Sequence, residues 1–365
     1  MMRIAHVTHS FLPNIGGIET HVFELTKELA KKNDVVVYSA ADRREDAMLG
    51  NVLVRRYPAI KCPFLQSVNF SLPMVCDLAM DDADVIHSHG FFSTYPLFAS
   101  VIARLKKKTG VYTLHGYPAP KNPAVLALLK CYELAVAPVF LGLSDAIITV
   151  SDGMPAGMEK YRGKTKHVPN GVPASFSCRT SFRQEKGILY VGRLAHDKGV
   201  ETLVRAYLRL GPKAGRLALC GSDAGAKKGL MKMAAGAGGR VAFIEREYAR
   251  MPETYCGAKL VVLPSKYEGF PMVWVEAISC GRPIFSTRVG GYRQFFSKLF
   301  GKNAELFLFD GEDELCRKIE RFMARESEYS PIVASARRKL AAEYSWKKIA
   351  ARTMGIYRNA AKLRR

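Results

Sequence analysis

One stretch constrains the fold more than any other: Lys259-Leu-Val-Val-Leu263, followed by Pro264-Ser-Lys-Tyr-Glu268-Gly-Phe-Pro-Met-Val-Trp-Val-Glu276-Ala-Ile-Ser-Cys-Gly281. The apolar run is short, β-branched and stopped by Pro264, as a strand buried in a parallel sheet reads. Pro271 suits the first helical position, where a missing N–H costs nothing, and Gly281 suits the left-handed stop after the last turn. The pattern predicts a strand, a loop carrying Glu268 and a helix carrying Glu276. All three meet at the carboxyl edge of a sheet, where open α/β sheets bind ligands.

Seven residues separate the two glutamates, so they would not share a face of one continuous helix. With Glu268 in the loop and Glu276 near the helix start, both border one pocket, while first-turn amides face an anion. Such a pocket suits a charged, hydroxyl-rich ligand. A second segment of the same kind is Gly187-Ile-Leu-Tyr-Val-Gly-Arg-Leu-Ala-His-Asp-Lys-Gly199, leading into a helix through Leu203, Tyr207 and Leu210. Its strand, Gly192-Arg193 turn and Lys198-Gly199 place two cations beside backbone donors, the chemistry a diphosphate demands. Arg216 to Ser222 forms the next strand, with Gly221 at its edge. Pro283 to Thr287 forms another, ending at Gly290-Gly291.

The amino-terminal half repeats the alternation. Arg3 to His9 is a strand, Phe11 to Glu19 a loop containing Gly16-Gly17, and Val22, Leu25 and Leu29 recur at helical spacing. The glycine pair lets the backbone approach a ligand or take positive φ. A dinucleotide fingerprint, which needs G-x-G-x-x-G and an acid further on, is absent. Later strands are Val35 to Ser39, one starting at Val52, Asp84 to Gly90, Thr109 to His115 and Ala146 to Ser151. His115 stands where catalytic residues stand in such sheets, whereas His87 and His89 read as structural. Asp81-Asp-Ala-Asp84 contains an Asp-x-Asp, but these acids precede their strand and so lie at the edge away from the expected site; no metal site is assigned.

A chain of 365 residues that is 48% hydrophobic can fill two cores of about 150 to 180 residues each. The Asn170-Gly171 turn between prolines and the polar stretch 174–186 mark the linker. The expected divisions are 1–172, 173–344 and a closing helix at 345–365. The eight cysteines are scattered without a Cys-x-x-Cys pair and read as reduced thiols of a cytosolic protein. The amino terminus runs straight into a strand and carries no signal-peptide pattern. The window 124–143 is apolar but broken by Lys130 and Glu133, so it reads as a buried or surface-lying helix pair, not a span. Net charge is +22, which implies attraction to polyanions such as phosphorylated ligands or anionic lipid. Residues 58 to 76, apolar with prolines, are a candidate acceptor-facing or membrane-facing segment.

At Tyr-Glu268-Gly-Phe-Pro and Glu276-Ala-Ile-Ser-Cys-Gly-Arg-Pro the sequence resembles the retaining nucleotide-sugar transferases of glycosyltransferase family 4, whose signature is Glu, seven residues, Glu. The likeness covers nearly the whole chain and is strongest from 187 to 291. It implies an α/β GT-B fold of two Rossmann-like doubly wound domains facing a central cleft, with the last helix crossing back to the first domain. It implies a sugar moved from a nucleotide-diphosphate donor, UDP or GDP type, to a lipid-linked, glycan or small-molecule acceptor without a metal or other cofactor. By resemblance, Gly16, Gly17, Gly192, Arg193, Lys198 and Gly221 lie by the donor phosphates and nucleotide. Glu268, Gly269, Phe270, Pro271, Met272, Val273 and Glu276 hold the donor, and His115 touches the transferred sugar. Catalysis falls to His115, Glu268, Arg193 and Lys198. Tyr292-Arg-Gln-Phe departs from the family's usual Pro-Glu after the glycine pair. Two rivals remain: a glycoside hydrolase using both glutamates, which leaves Arg193 and Lys198 without work, and a basic nucleic-acid-binding protein, for which no module or aromatic-basic stripe is present. A cytoplasmic enzyme, peripheral on an anionic membrane, is the expected setting, with no specific nucleic-acid partner.

Overall fold

The computed structural model describes residues 1–14, 16–61, 69–116, 123–151 and 157–364. The chain forms two compact units, Met1–Gly171 with Trp346–Arg365, and Val172–Ser345.

Valine-rich runs build the first unit's sheet. Its strands are β1 (Arg3–Thr8), β2 (Asp34–Ala41), β3 (Glu45–Leu49), β4 (Val52–Pro58), β7 (Val85–His89), β8 (Thr109–Leu114), β9 (Ala146–Thr149) and β10 (Thr165–His167), while β5 (Ile60–Lys61) and β6 (Asn69–Phe70) pair separately. The order is β10-β9-β8-β7-β1-β2-β4-β3, parallel except for β3, which runs antiparallel to β4. The chain starts in the middle and winds outward both ways, so the order reverses between β1 and β7. Crevices at such reversals are where α/β sheets bind ligands.

The helix Trp346–Arg364 belongs to this unit and packs on the helix Gly17–Leu29 and on β8. The buried Tyr357 hydroxyl lies 2.6 Å from His87 Nδ1, and Arg364 pairs with Asp145 at 2.9 Å. The acids before β7 are also structural: Asp81 is held by Arg3 and by the Tyr38 hydroxyl, and Asp84 accepts from the Arg3 amide.

The second sheet is parallel throughout: β11 (Ile188–Val191), β12 (Leu217–Cys220), β13 (Val241–Ile244), β14 (Leu260–Leu263), β15 (Ile284–Thr287) and β16 (Leu308–Phe309), in the order β13-β12-β11-β14-β15-β16. Here the reversal falls between β11 and β14, with Ile188 beside Leu260. The apolar side of the helix Met272–Ser279 seals one face of this sheet. Trp274 is fully buried, stacks on Phe295 with centroids 5.2 Å apart and donates its indole N–H to Ser286.

Three expectations need correction or limits. The cysteines are not all reduced: Cys178 and Cys256 form a disulfide. They are 78 residues apart in sequence, and only the fold brings a linker residue against the end of the helix Met251–Cys256, at a Cα separation of 5.5 Å. Pro271 caps the following helix from outside, and the first helical residue is Met272. Of the candidate membrane-facing segment, 62–68 lie outside the described residues. The apolar window forms two helices, Pro123–Ala135 and Ala137–Leu143; by length and composition the whole stretch would suffice to cross a membrane. The first of them buries Leu129 but exposes Leu126, Leu128 and Leu134.

Alkylation of the unreduced protein followed by peptide mapping should find Cys178 and Cys256 protected and joined. Reducing that bond should lower unfolding free energy by about 2–4 kcal/mol, read by urea denaturation with and without reductant.

Candidate active site

The reversal in the second sheet brings the loop after β11 beside the loop after β14. The amide of Lys266 donates to the carbonyl of Asp197 at 2.9 Å, locking the two loops together. Their side chains then meet: the Lys198 ammonium lies 2.7 Å from Glu268 Oε1, which also accepts from the Ser265 hydroxyl at 2.8 Å. Both side chains are mostly buried, 17% and 16% exposed. Thr287, from the end of β15, fixes the loop by donating to the Ser265 carbonyl. Motif spacing does not single out Ser265, although its place directly after the strand-ending Pro264 is the signal that could have found it.

Glu276 lies in the second turn of the helix that this loop enters, buried, with the Tyr255 hydroxyl donating to Oε2 at 2.6 Å. The Tyr255 phenol is driven well above its usual pKa by burial and by the Glu276 charge, so it stays a donor. One glutamate is thus tied to a cation and the other to a phenol. Amides of a helix's first turn, here Met272 and Val273, have no partner within the helix and favour a negative group.

Backbone approach is equally tight. A Cβ on Gly221, at φ +155°, would sit 2.0 Å from the Gly192 carbonyl oxygen, so the turns after β11 and β12 close against each other only through glycine. Gly290, at φ +53°, is pressed in the same way on Gly269, where a Cβ would fall 2.1 Å from the carbonyl oxygen. The Tyr190 hydroxyl donates to the Arg193 carbonyl and shapes the Gly192-Arg193 turn.

The remaining candidates fall as follows. Arg193 is 59% exposed, with Asp197 3.8 Å away. Phe270 is buried among Trp274 and Phe295, so its ring serves the core. Pro271 and Met272 are buried, whereas Gly269 and Val273 are half-buried. In the other unit, Gly16 caps the helix Gly17–Leu29 in an extended conformation, where an added Cβ would meet only the mobile carboxylate end of Glu19; Gly17 opens onto free space. Neither takes positive φ. His115 directly follows β8 and lies 3.1 Å from His89. Sequence position alone does not mark His6 and His21, which are buried and which the fold gathers with the buried His89 and the half-buried His115 into one cluster.

The family model for glycosyltransferase family 4 matches residues 15–176, and that for glycosyl transferases group 1 matches 178–339. The chain is 27% identical to alpha-maltose-1-phosphate synthase of Mycolicibacterium smegmatis, over 98% of this chain and 99% of that protein. It is 26% identical to a phosphatidylinositol N-acetylglucosaminyltransferase subunit of Arabidopsis thaliana, over 99% and 83%. Among solved structures, sucrose-phosphate synthase of Thermosynechococcus elongatus superposes with TM-score 0.75 at 20% identity, each chain fully covered. HepE of Anabaena, in complex with UDP, gives TM-score 0.76 at 19% identity over 98% and 100%.

Substitution separates the two kinds of glycine. Gly290→Ala should cost more than about 2 kcal/mol, from left-handed strain plus overlap with Gly269. Gly17→Ala should stay within roughly 0.5 kcal/mol. Chemical denaturation of both variants checks this.

Proposed function

Because the chain belongs to the family-4, group 1 glycosyltransferases and is a sugar-transferring enzyme with the α/β GT-B fold of two Rossmann-like units, we propose that it is a retaining transferase moving a hexosyl group from a UDP-type nucleotide sugar to a lipid-linked acceptor. The carrying observation is the Lys198–Glu268 ion pair at the strand-order reversal, in the loop that leads into the Glu276 helix.

Glycosyl transfer passes through an oxocarbenium-like state while negative charge grows on the departing diphosphate. Lys198, now paired with Glu268, would turn to the diphosphate, and Arg193 and the amides of Met272 and Val273 would add their positive ends. Fixed donors aimed at growing charge are commonly the largest source of rate enhancement. Freed from the lysine, Glu268 would accept from sugar hydroxyls and Glu276 from the ribose, while Gly192 and Gly221 admit the nucleotide close to the backbone. His115 would contact the transferred sugar. With these cations in place the diphosphate needs no metal. A hydrolase reading gives Lys198 no task, and a nucleic-acid reading gives none to either glutamate.

UDP is favoured because the structural neighbour HepE was solved with UDP and with UDP-glucose. A lipid acceptor is favoured by exposed Leu126, Leu128 and Leu134 on a chain of net charge +22, and by a relative named for phosphatidylinositol. The same features support work at the surface of an anionic membrane; flotation with anionic but not neutral vesicles is its test, and equal recovery from both would end it.

A thermal-shift screen across UDP, GDP, ADP and their sugar conjugates should show the largest rise with the UDP series, since ligands that bind only the native state stabilise it. Lys198→Ala should lower kcat/KM by about 10²–10³ while the variant remains folded by circular dichroism. Wild-type turnover by that folded variant would refute the role given to Lys198.

A further inference from the structure

Five of the eight histidines crowd the carboxyl edge of the first sheet at its own strand-order reversal. The proposed transfer reaction gives a role to one of them at most. His6, His87 and His89 come from β1 and β7, His115 follows β8, and His21 comes from the helix Gly17–Leu29. A ring nitrogen from each of His21, His89 and His115 lies within 4.8 Å of the other two.

Outer hydrogen bonds orient two of these three rings, His21 and His89, and leave the other nitrogen of each turned away from its outer partner. His21 Nδ1 lies 2.7 Å from Asn170 Oδ1, a carbonyl that can only accept, so Nδ1 carries the proton and Nε2 keeps its lone pair. That Nε2 is fully buried and has no partner among the described residues. His89 Nε2 lies 2.9 Å from His6 Nδ1, leaving His89 Nδ1 to face His115 Nε2 at 3.1 Å. Imidazoles whose outer N–H is held by an acceptor while the other nitrogen faces a shared centre are the arrangement found around protein-bound metals. Nitrogens bound to one tetrahedral zinc at 2.0–2.1 Å lie roughly 3.3 Å apart, close to the His89–His115 separation. The neighbouring set His6, His87 and His89 does not qualify. Both His87 nitrogens are already engaged, by Tyr357 and by Thr113.

We propose that His21, His89 and His115 form a binding site for one divalent transition-metal ion, with Asn170 and His6 as the groups that orient His21 and His89. Three imidazoles suit zinc, cobalt, nickel, copper or ferrous iron; magnesium and calcium prefer oxygen donors. The site is therefore chemically distinct from a metal carried in on a diphosphate. Burial keeps the three rings neutral at neutral pH, the form a metal requires, with His21 pushed down to about 4 and His89 and His115 held well below the usual imidazole value. Trp346, its ring 5.3 Å from that of His21, covers one side. The ion would join the helix Gly17–Leu29 to β7 and to the end of β8, and would fix the orientation of His115. Three protein ligands leave a fourth position for water or a hydroxyl group.

The test uses full-length protein without a histidine tag, stripped with chelator and titrated with Co²⁺, then Zn²⁺, by calorimetry and visible absorption. One equivalent of Co²⁺ should bind with the ligand-field bands of a tetrahedral nitrogen site and be displaced by Zn²⁺. His21→Gln and His115→Gln should abolish that uptake, Asn170→Ala should weaken it about 10- to 100-fold, and His196→Gln, on an exposed turn of the other unit, should leave it unchanged. His115 is only half-buried, so His115→Gln decides the matter even if the His21 variant does not fold. Uptake by His115→Gln equal to wild type, or no stoichiometric uptake by the folded wild-type protein, overturns the site. None of these readouts depends on sugar transfer, so the site and the transferase reading fail separately.

Discussion

The ion pair between Lys198 and Glu268 is the interaction on which the chemistry proposed for the second unit turns. Removing two charges from water costs several kcal/mol per ion, and their mutual attraction repays that only with good geometry and further hydrogen bonds. At 2.7 Å, with Ser265 as a second donor to the same carboxylate oxygen, the pair meets both conditions. Under the transferase reading proposed above, the pair is an exchange point, because each member is suited to a stronger partner. A diphosphate offers the lysine more negative charge than one carboxylate does, and sugar hydroxyls offer the glutamate neutral donors without a desolvated cation. A ligand that brings both groups can break the pair and leave neither charge uncompensated.

The pair exists only because the strand order reverses between β11 and β14. Elsewhere in the sheet, sequential strands lie side by side and their loops diverge over helices on one face. At the reversal, successive crossovers go to opposite faces, and a crevice opens between them. The Lys198 and Glu268 loops border that crevice and are tied by the Lys266 amide. Glycines let neighbouring turns close down, Gly221 on Gly192 and Gly290 on Gly269. The fold thus places charge where backbone donors already gather.

Much of this was legible in the chain, because parallel strands buried on both faces read as continuous apolar runs. Leu260–Leu263 with its proline stop is such a run, and the same pattern marks β11, β12 and β15. The edge strand Glu45–Leu49 escaped: it pairs antiparallel, lies largely exposed and carries charges, so no apolar run marks it. The Cys178–Cys256 bond escaped for a different reason. Separation in sequence says nothing of proximity when two crossovers intervene. Phe270 shows a third limit, for motif position marks it as a ligand residue whereas its ring is spent on Trp274 and Phe295.

The histidine cluster shows why side-chain chemistry is harder to read than strand pattern. Taken singly, His6, His21, His87 and His89 look like structural residues, since one imidazole among apolar neighbours is most often a satisfied core group. Strand register brings three of them together, His6 level with His87 on adjacent strands and His89 on the same face two residues on, and the helix Gly17–Leu29 adds His21. A cluster of this kind is costly if its nitrogens lack partners, because each unpaired polar atom in a dry interior carries a desolvation penalty of about 1–3 kcal/mol. His6 Nε2 and His21 Nε2 are both in that position among the described residues. An ion at His21, His89 and His115 would satisfy the second and fix the tautomers of the whole chain of rings. The first would remain a buried donor without a partner among the described residues, because the other nitrogen of His6 holds His89 in place.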